Sequence, residues 1–191
     1  MKKVALFGGS FNPVHTGHLV IASLLRQQHG FDEVWFVLSP QNPLKENTTE
    51  LLDDDIRLDM LHLAVDPVEH FEVCDIEMFL PRPSYTVNTL KALTGHHPDV
   101  EFTWIAGGDN YASFSRWKEP DKILEMARLL VYPRHGSDIV PPADPRISIA
   151  DTPMLDISST RIRRMIADGM DVNFLVPEIV NKYINKHHLY R

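Results

Sequence analysis

The chain has 191 residues, 43% of them hydrophobic and 24% charged, which is long enough and apolar enough to bury a substantial core. Its 19 basic and 26 acidic residues leave a net charge of −7. That balance argues against unspecific nucleic-acid binding, which rests on neutralising phosphates. The one cysteine, Cys74, excludes an internal disulfide and a Cys-rich zinc site.

"MKKVALFGGSF" opens the chain with a short apolar run that lacks the roughly 7–15-residue apolar core of a signal peptide. No run approaches the roughly 18 apolar residues of a membrane span, so a soluble cytoplasmic protein with no membrane partner is expected. "VALF" predicts a buried strand entering a glycine turn at Gly8 and Gly9. From Gly17, Leu19, Val20, Ile21, Leu24 and Leu25 recur at helical spacing until Gly30. "EVWFVLSP" predicts a second strand, and "QNPLKENTTELLDDD" a loop. "IRLDMLHLAVD" is an amphipathic helix ended by Pro67, and "FEVCDIEM" alternates like a strand. "SYTVNTLKALTG" predicts a helix, "EFTWIAGGD" a strand, "EPDKILEMA" a helix and "RLLVYPR" a strand. After a loop, "RISIAD" is a short strand; "SSTRIRRMIADG" and "PEIVNKYINKHHL" are helices. Strand and helix alternate, which is the pattern of βαβ units and a parallel sheet. Such sheets bind ligands at the carboxyl ends of their strands, where "GGSFNPVHTGH", "SPQNPLKEN", "GGDNYASF" and "DTPMLDISSTR" would then cluster.

In "GGSFNPVHTGHL", His15 and His18 sit three residues apart at a helix start. Imidazoles there can ligate metal, move protons, hold an anion or pack. No Glu completes an HExxH pattern and no nearby Cys or Asp supplies a third metal ligand. The anion use has the most support: a helix N-terminus carries unpaired N–H groups and a positive dipole end, and Gly8 and Gly9 let backbone approach a ligand. Neither a Walker A loop nor G-x-G-x-x-G is present. "ISSTRIR" offers a second anion site: Ser158, Ser159 and Thr160 stand at a helix start beside Arg161 and Arg163. Plain N-capping is the bland alternative.

Together, "GGSFNPVHTGH" and the late "ISSTRIR" resemble the nucleotidyltransferase superfamily, and more narrowly the bacterial nicotinate-nucleotide adenylyltransferases. HxGH alone is shared with class I aminoacyl-tRNA synthetases, but their KMSKS sequence is absent. The resemblance covers essentially the whole chain. It implies an α/β, Rossmann-like doubly wound parallel sheet with helices on both faces. It implies one domain over 1–191, with the C-terminal helices from about 158 packing on it. The implied reaction transfers AMP from ATP to nicotinate mononucleotide, releasing pyrophosphate and forming nicotinate adenine dinucleotide in NAD biosynthesis. Related enzymes use nicotinamide mononucleotide, pantetheine phosphate, flavin mononucleotide or glycerol phosphate; a non-catalytic nucleotide sensor is the rival of another class.

By motif position, the resemblance makes His15, His18 and Arg163 catalytic, as donors to the ATP phosphates. It assigns Gly8, Gly9, Ser10, Phe11, Ile157, Ser158, Ser159 and Thr160 to ATP, with Gly107 and Asp109 near the ribose. Tyr85 and Thr86 of "SYT" receive the pyridine carboxylate, with helix capping as the alternative use. Trp117, set among Ser, Arg, Lys and Glu, stacks on the pyridine ring or is an ordinary half-buried Trp. Lys45 meets the substrate phosphate or is a solvated surface lysine, and Arg134 faces the same cleft. Trp35 and Trp104 are expected in the core. Asn12 stands where many members have Asp, which removes a charge there. Mg²⁺ is expected with ATP, held mainly by phosphate oxygens and water rather than by a protein metal site.

Overall fold

The computed structural model describes residues 1–43, 50–134, 136, 139–140 and 142–191. Six strands form one sheet: β1 (Lys2–Gly9), β2 (Glu33–Leu38), β3 (Phe71–Cys74), β4 (Val100–Gly107), β5 (Ala127–Tyr132) and β6 (Ile147–Ile149). Their order is β3-β2-β1-β4-β5-β6, and every pairing is parallel. The chain runs outward from β1 to β3 and then returns to lay β4 on the other side of β1. This is the doubly wound order, and its switch point lies between β1 and β4.

The period-two alternation of the strands separates two cores. Ala5, Phe7, Val34, Phe36, Ile105 and Leu130 point to one face; Val4, Leu6, Val37, Phe102, Trp104 and Leu129 point to the other. The first face is covered by α1 (Thr16–His29), α2 (Asp54–Val65), α6 (Ser159–Ala167) and α7 (Glu178–Lys186). The second is covered by α3 (Thr86–His96) and α5 (Pro120–Met126). Buried Ile162, Ile166, Val180, Ile184 and Leu189 place the C-terminal helices in the same apolar cluster as β1 and β2. Gly30 ends α1 at φ 64°, a left-handed conformation that suits glycine.

Two predicted elements change. The alternation of "FEVCDIEM" holds as a strand only to Cys74, and Ile76–Phe79 form a 3₁₀ turn. There Glu77 turns inward, 4% exposed, while Phe79 is 80% exposed, the reverse of a strand's apolar-in pattern. "EFTWIAGGD" is a strand only to Gly107, and after it come the one-turn helix α4 (Gly108–Tyr111) and a 3₁₀ turn at Phe114–Arg116. Both are too short to leave a periodic signal.

Candidate active site

The carboxyl ends of β1 and β4 open into a cleft with two halves that share Gly8, Gly9, Asn42 and Asn110. One half is lined by His15, His18, Asp109, Arg134, Ser158, Ser159, Thr160 and Arg163. The other is lined by Ser84, Tyr85, Thr86, Arg116, Trp117 and Lys118. A cationic, hydroxyl-rich trough therefore runs into an aromatic pocket, with the ends of β1 between them.

In the cationic half, His15 precedes the first turn of α1, and the His15 and His18 rings stack with centroids 3.6 Å apart. The His15 backbone N–H donates to His18 Nδ1 at 3.2 Å. A neutral His18 then carries its proton on Nε2, as a donor. Phe7 and Phe11 meet His18 edge to face, at 5.9 and 5.1 Å, and fix the ring. His15 is 4% exposed. Burial first, and then the Arg134 guanidinium, hold its pKa down at about 3, so it is neutral at pH 7. Gly17 leaves room for it: a Cβ there would sit 3.1 Å from His15 Nδ1.

The start of α6 faces these histidines and is stitched to their loop. Ser159 Oγ donates to the Pro13 carbonyl at 2.9 Å, and Arg163 donates to the Asn12 carbonyl at 2.9 Å. The second arm of Arg163 donates to Glu50 Oε2 at 2.5 Å. Glu50 is exposed, and this hydrogen bond and ion pair lower its pKa. Glu50 thus sits on the cation that a phosphate would use. Two buried polar atoms in this half lack a partner among the described residues, His15 Nδ1 and Arg163 Nε. Such atoms are costly unless a ligand or water meets them.

His15, His18, Arg163, Ser10, Phe11, Asp109, Ser158, Ser159 and Thr160 come together in the cationic half. Ser158 serves as the plain N-cap of α6, its hydroxyl accepting from the Arg161 N–H at 3.3 Å. Ile157 packs beside Gly17 at the rim rather than in the trough. Gly8 and Gly9 line the cleft, but their missing side chains also serve the protein: a Cβ on Gly8 would lie 2.5 Å from the Trp104 ring, and one on Gly9 3.0 Å from Phe11. Gly107 is crowded by Asp109 and Arg134 in the same way. Tyr85, Thr86 and Trp117 share the aromatic pocket, where the buried Trp117 indole N–H has no partner among the described residues. Arg134 belongs with the other half: it pairs with Asp109 at 3.0 Å, beside His15. Lys45 lies outside the described residues.

The Cytidylyltransferase-like family model matches residues 6–165, which spans both motifs. A Bacteroides fragilis protein named "Probable nicotinate-nucleotide adenylyltransferase" is 43% identical over 183 residues, covering 95% of this chain and 90% of that protein. A Flavobacterium johnsoniae protein of the same name is 39% identical over 192 residues, covering 99% of each. This chain belongs to the nicotinate-nucleotide adenylyltransferase family. The nicotinic acid mononucleotide adenylyltransferase of Plasmodium falciparum, solved with NaAD, superposes with a TM-score of 0.81 over 100% of this chain and 98% of that one. At 21% identity, that likeness speaks for the fold alone.

Within this adenylyltransferase, three residues in or beside the cleft escaped the sequence reading. Glu50 left no signal, standing in a polar stretch. Arg57 did leave one. It sits at the helical spacing of Met60, Leu61 and Ala64, on the buried face of α2, and is 0% exposed. Glu77 was hidden by the false strand alternation. Asn12, the departure from the usual Asp, is 5% exposed and acts as a hub. Its Nδ2 donates to the Glu50 carbonyl at 2.8 Å, and its Oδ1 accepts from the Tyr190 hydroxyl at 2.8 Å. A neutral amide both donates and accepts there, which a carboxylate cannot.

Proposed function

We propose that this enzyme transfers AMP from ATP to nicotinate mononucleotide, forming nicotinate adenine dinucleotide and pyrophosphate for NAD biosynthesis. The observation that carries this reading is the joined cleft, a cationic trough meeting an aromatic pocket at the switch point of the sheet. The relatives' shared name supports the substrate pair.

An oxygen of the mononucleotide 5′-phosphate attacks the α-phosphorus of ATP. The bond from the α-phosphorus to the bridging oxygen breaks, and that oxygen leaves on pyrophosphate. The phosphate dianion is already a nucleophile, so no general base is required. Catalysis then consists of alignment and stabilisation of charge on the phosphates. His18 donates to them from a fixed ring, His15 lies against it, and Arg163 exchanges Glu50 for the leaving phosphates. Asp109 accepts from ribose hydroxyls of ATP. The start of α3, with Tyr85 and Thr86, receives the pyridine carboxylate, and Trp117 stacks on the ring. Arg134 serves the ATP side, with Lys45 reserved for the mononucleotide phosphate. Mg²⁺ enters as part of the ATP substrate, coordinated mainly by phosphate oxygens and water. Residues 1–191 act as one nucleotidyltransferase domain in the cytoplasm. Among the described residues, no helix is long and apolar enough to cross a membrane.

Incubation with ATP, Mg²⁺ and nicotinate mononucleotide should give pyrophosphate and the dinucleotide in equal amounts. Nicotinamide mononucleotide, which lacks the anionic substituent, should turn over at least about 100-fold less efficiently. Equal use of both mononucleotides would contradict the carboxylate-receiving role of α3, and no turnover of either would contradict the reaction.

A further inference from the structure

The aromatic pocket contains a buried acid that the reaction above does not use. Glu77 is 4% exposed and lines the pocket with Ser84, Tyr85, Thr86 and Trp117. Thr89, one turn along α3 from the "SYT" start, donates to Glu77 Oε1 at 2.6 Å. The same Thr89 hydroxyl lies 3.4 Å from the Tyr85 carbonyl. Glu77 Oε2 has no partner at hydrogen-bond geometry among the described residues, although the Ser39 and Ser84 hydroxyls lie beside it. An anionic ring substituent received at the start of α3 would share this pocket with a second carboxyl group.

We propose that Glu77 is a specificity-determining residue of the pyridine pocket: uncharged, it admits an anionic ring substituent, and ionised, it repels one. The proposal rests on the nicotinate reading of that pocket. Two acids in one desolvated site cannot both be charged without a large penalty. Burial raises the Glu77 pKa above the ordinary carboxylate range, and the Thr89 hydrogen bond and the neighbouring Ser84 and Ser39 hydroxyls offset part of that rise. Among the described residues, few other titratable or charged groups face it. Cys74 on β3 adjoins it with a thiol pushed up by burial to about 11, and Asp75 precedes its 3₁₀ turn. Arg116 and Lys118 line the same pocket, the latter with its Nζ 4.5 Å from the centre of the Tyr85 ring.

KM for nicotinate mononucleotide should therefore rise with pH as Glu77 ionises, by up to about tenfold per pH unit above its pKa, while KM for ATP does not follow. Glu77→Gln keeps the shape and an acceptor for Thr89 but cannot ionise. It should hold KM for the mononucleotide within about twofold from about pH 6 to about pH 9. Thr89→Val, a second and near-isosteric variant, removes a hydrogen bond to the ionised form, so the rising limb should move to higher pH. Wild-type and Glu77→Gln profiles that coincide, or a limb unmoved in Thr89→Val, would overturn the role of Glu77. A wild-type enzyme that turns over no nicotinate mononucleotide would instead overturn the reading of the pocket, and this proposal with it.

Discussion

Replacing His18 with alanine lowers kcat by about 10²–10³, the usual cost of removing one preorganised donor to a transition-state oxyanion. The size of the effect follows from how the ring is held. Its Nδ1 accepts from the His15 N–H, so a neutral ring carries its proton on Nε2, the atom that would donate to a phosphate oxygen. Stacking on His15 and edge contacts with Phe7 and Phe11 leave little rotation to freeze out during the reaction. KM for nicotinate mononucleotide should change little, because His18 lines the other half of the cleft. His18→Asn, which restores a donor on a shorter side chain, should recover part of the loss. Steady-state kinetics with both substrates check this. A tenfold or smaller drop in kcat for His18→Ala would mean that the ring only packs.

Arg57→Leu should destabilise the protein by about 3–5 kcal/mol, as expected when one partner of a buried charge network is removed. Arg57 is 0% exposed, yet it is not an isolated charge. Its guanidinium donates to the carbonyls of Ser10, Ser39 and Leu52 at 2.7, 2.9 and 2.9 Å, and to Pro40 at 3.3 Å. It also pairs with Asp54 at 2.5 Å. One planar cation thus ties the loops after β1 and β2 to the segment before α2. Leucine fills much of the volume but leaves those carbonyls without their donor and the Asp54 carboxylate with Arg82 alone. The loss is a large share of the roughly 5–15 kcal/mol that holds an ordinary domain together. Urea denaturation at neutral pH measures it, and a change below about 1 kcal/mol would mean that water replaces the guanidinium.

These two residues show what the sequence carries and what it hides. The place of His18 in the cleft was legible because glycines, a helix start and a second motif some 140 residues later mark one site. The sheet was legible for a similar reason. Strands buried on both faces read as apolar runs, and "VALF" and "EVWFVL" alternate between two cores without a polar break. Arg57 shows the opposite case. Its spacing with Met60, Leu61 and Ala64 puts it on the buried face of α2, but only the carbonyls at the strand ends explain how a charge is held there. Glu77 was masked by the strand alternation of "FEVCDIEM", and its partner Thr89 lies on the next helix. Short-period patterns do not encode such tertiary hydrogen bonds. Nor did composition reveal that Trp104 fills the space above Gly8 and so both packs the core and lines the aromatic pocket. The Asn12 substitution weakened a charged role at that position, and its bonds to Glu50 and Tyr190 supply a neutral one.

The HxGH loop and the start of α6 are expected to form one clamp on the ATP phosphates. A crystal structure with a non-hydrolysable ATP analogue and Mg²⁺ tests it most directly. Phosphate oxygens should lie within about 3 Å of His18 Nε2 and of the Arg163 guanidinium, with Arg163 released from Glu50. A triphosphate bound elsewhere, with the Arg163–Glu50 pair intact, would contradict it.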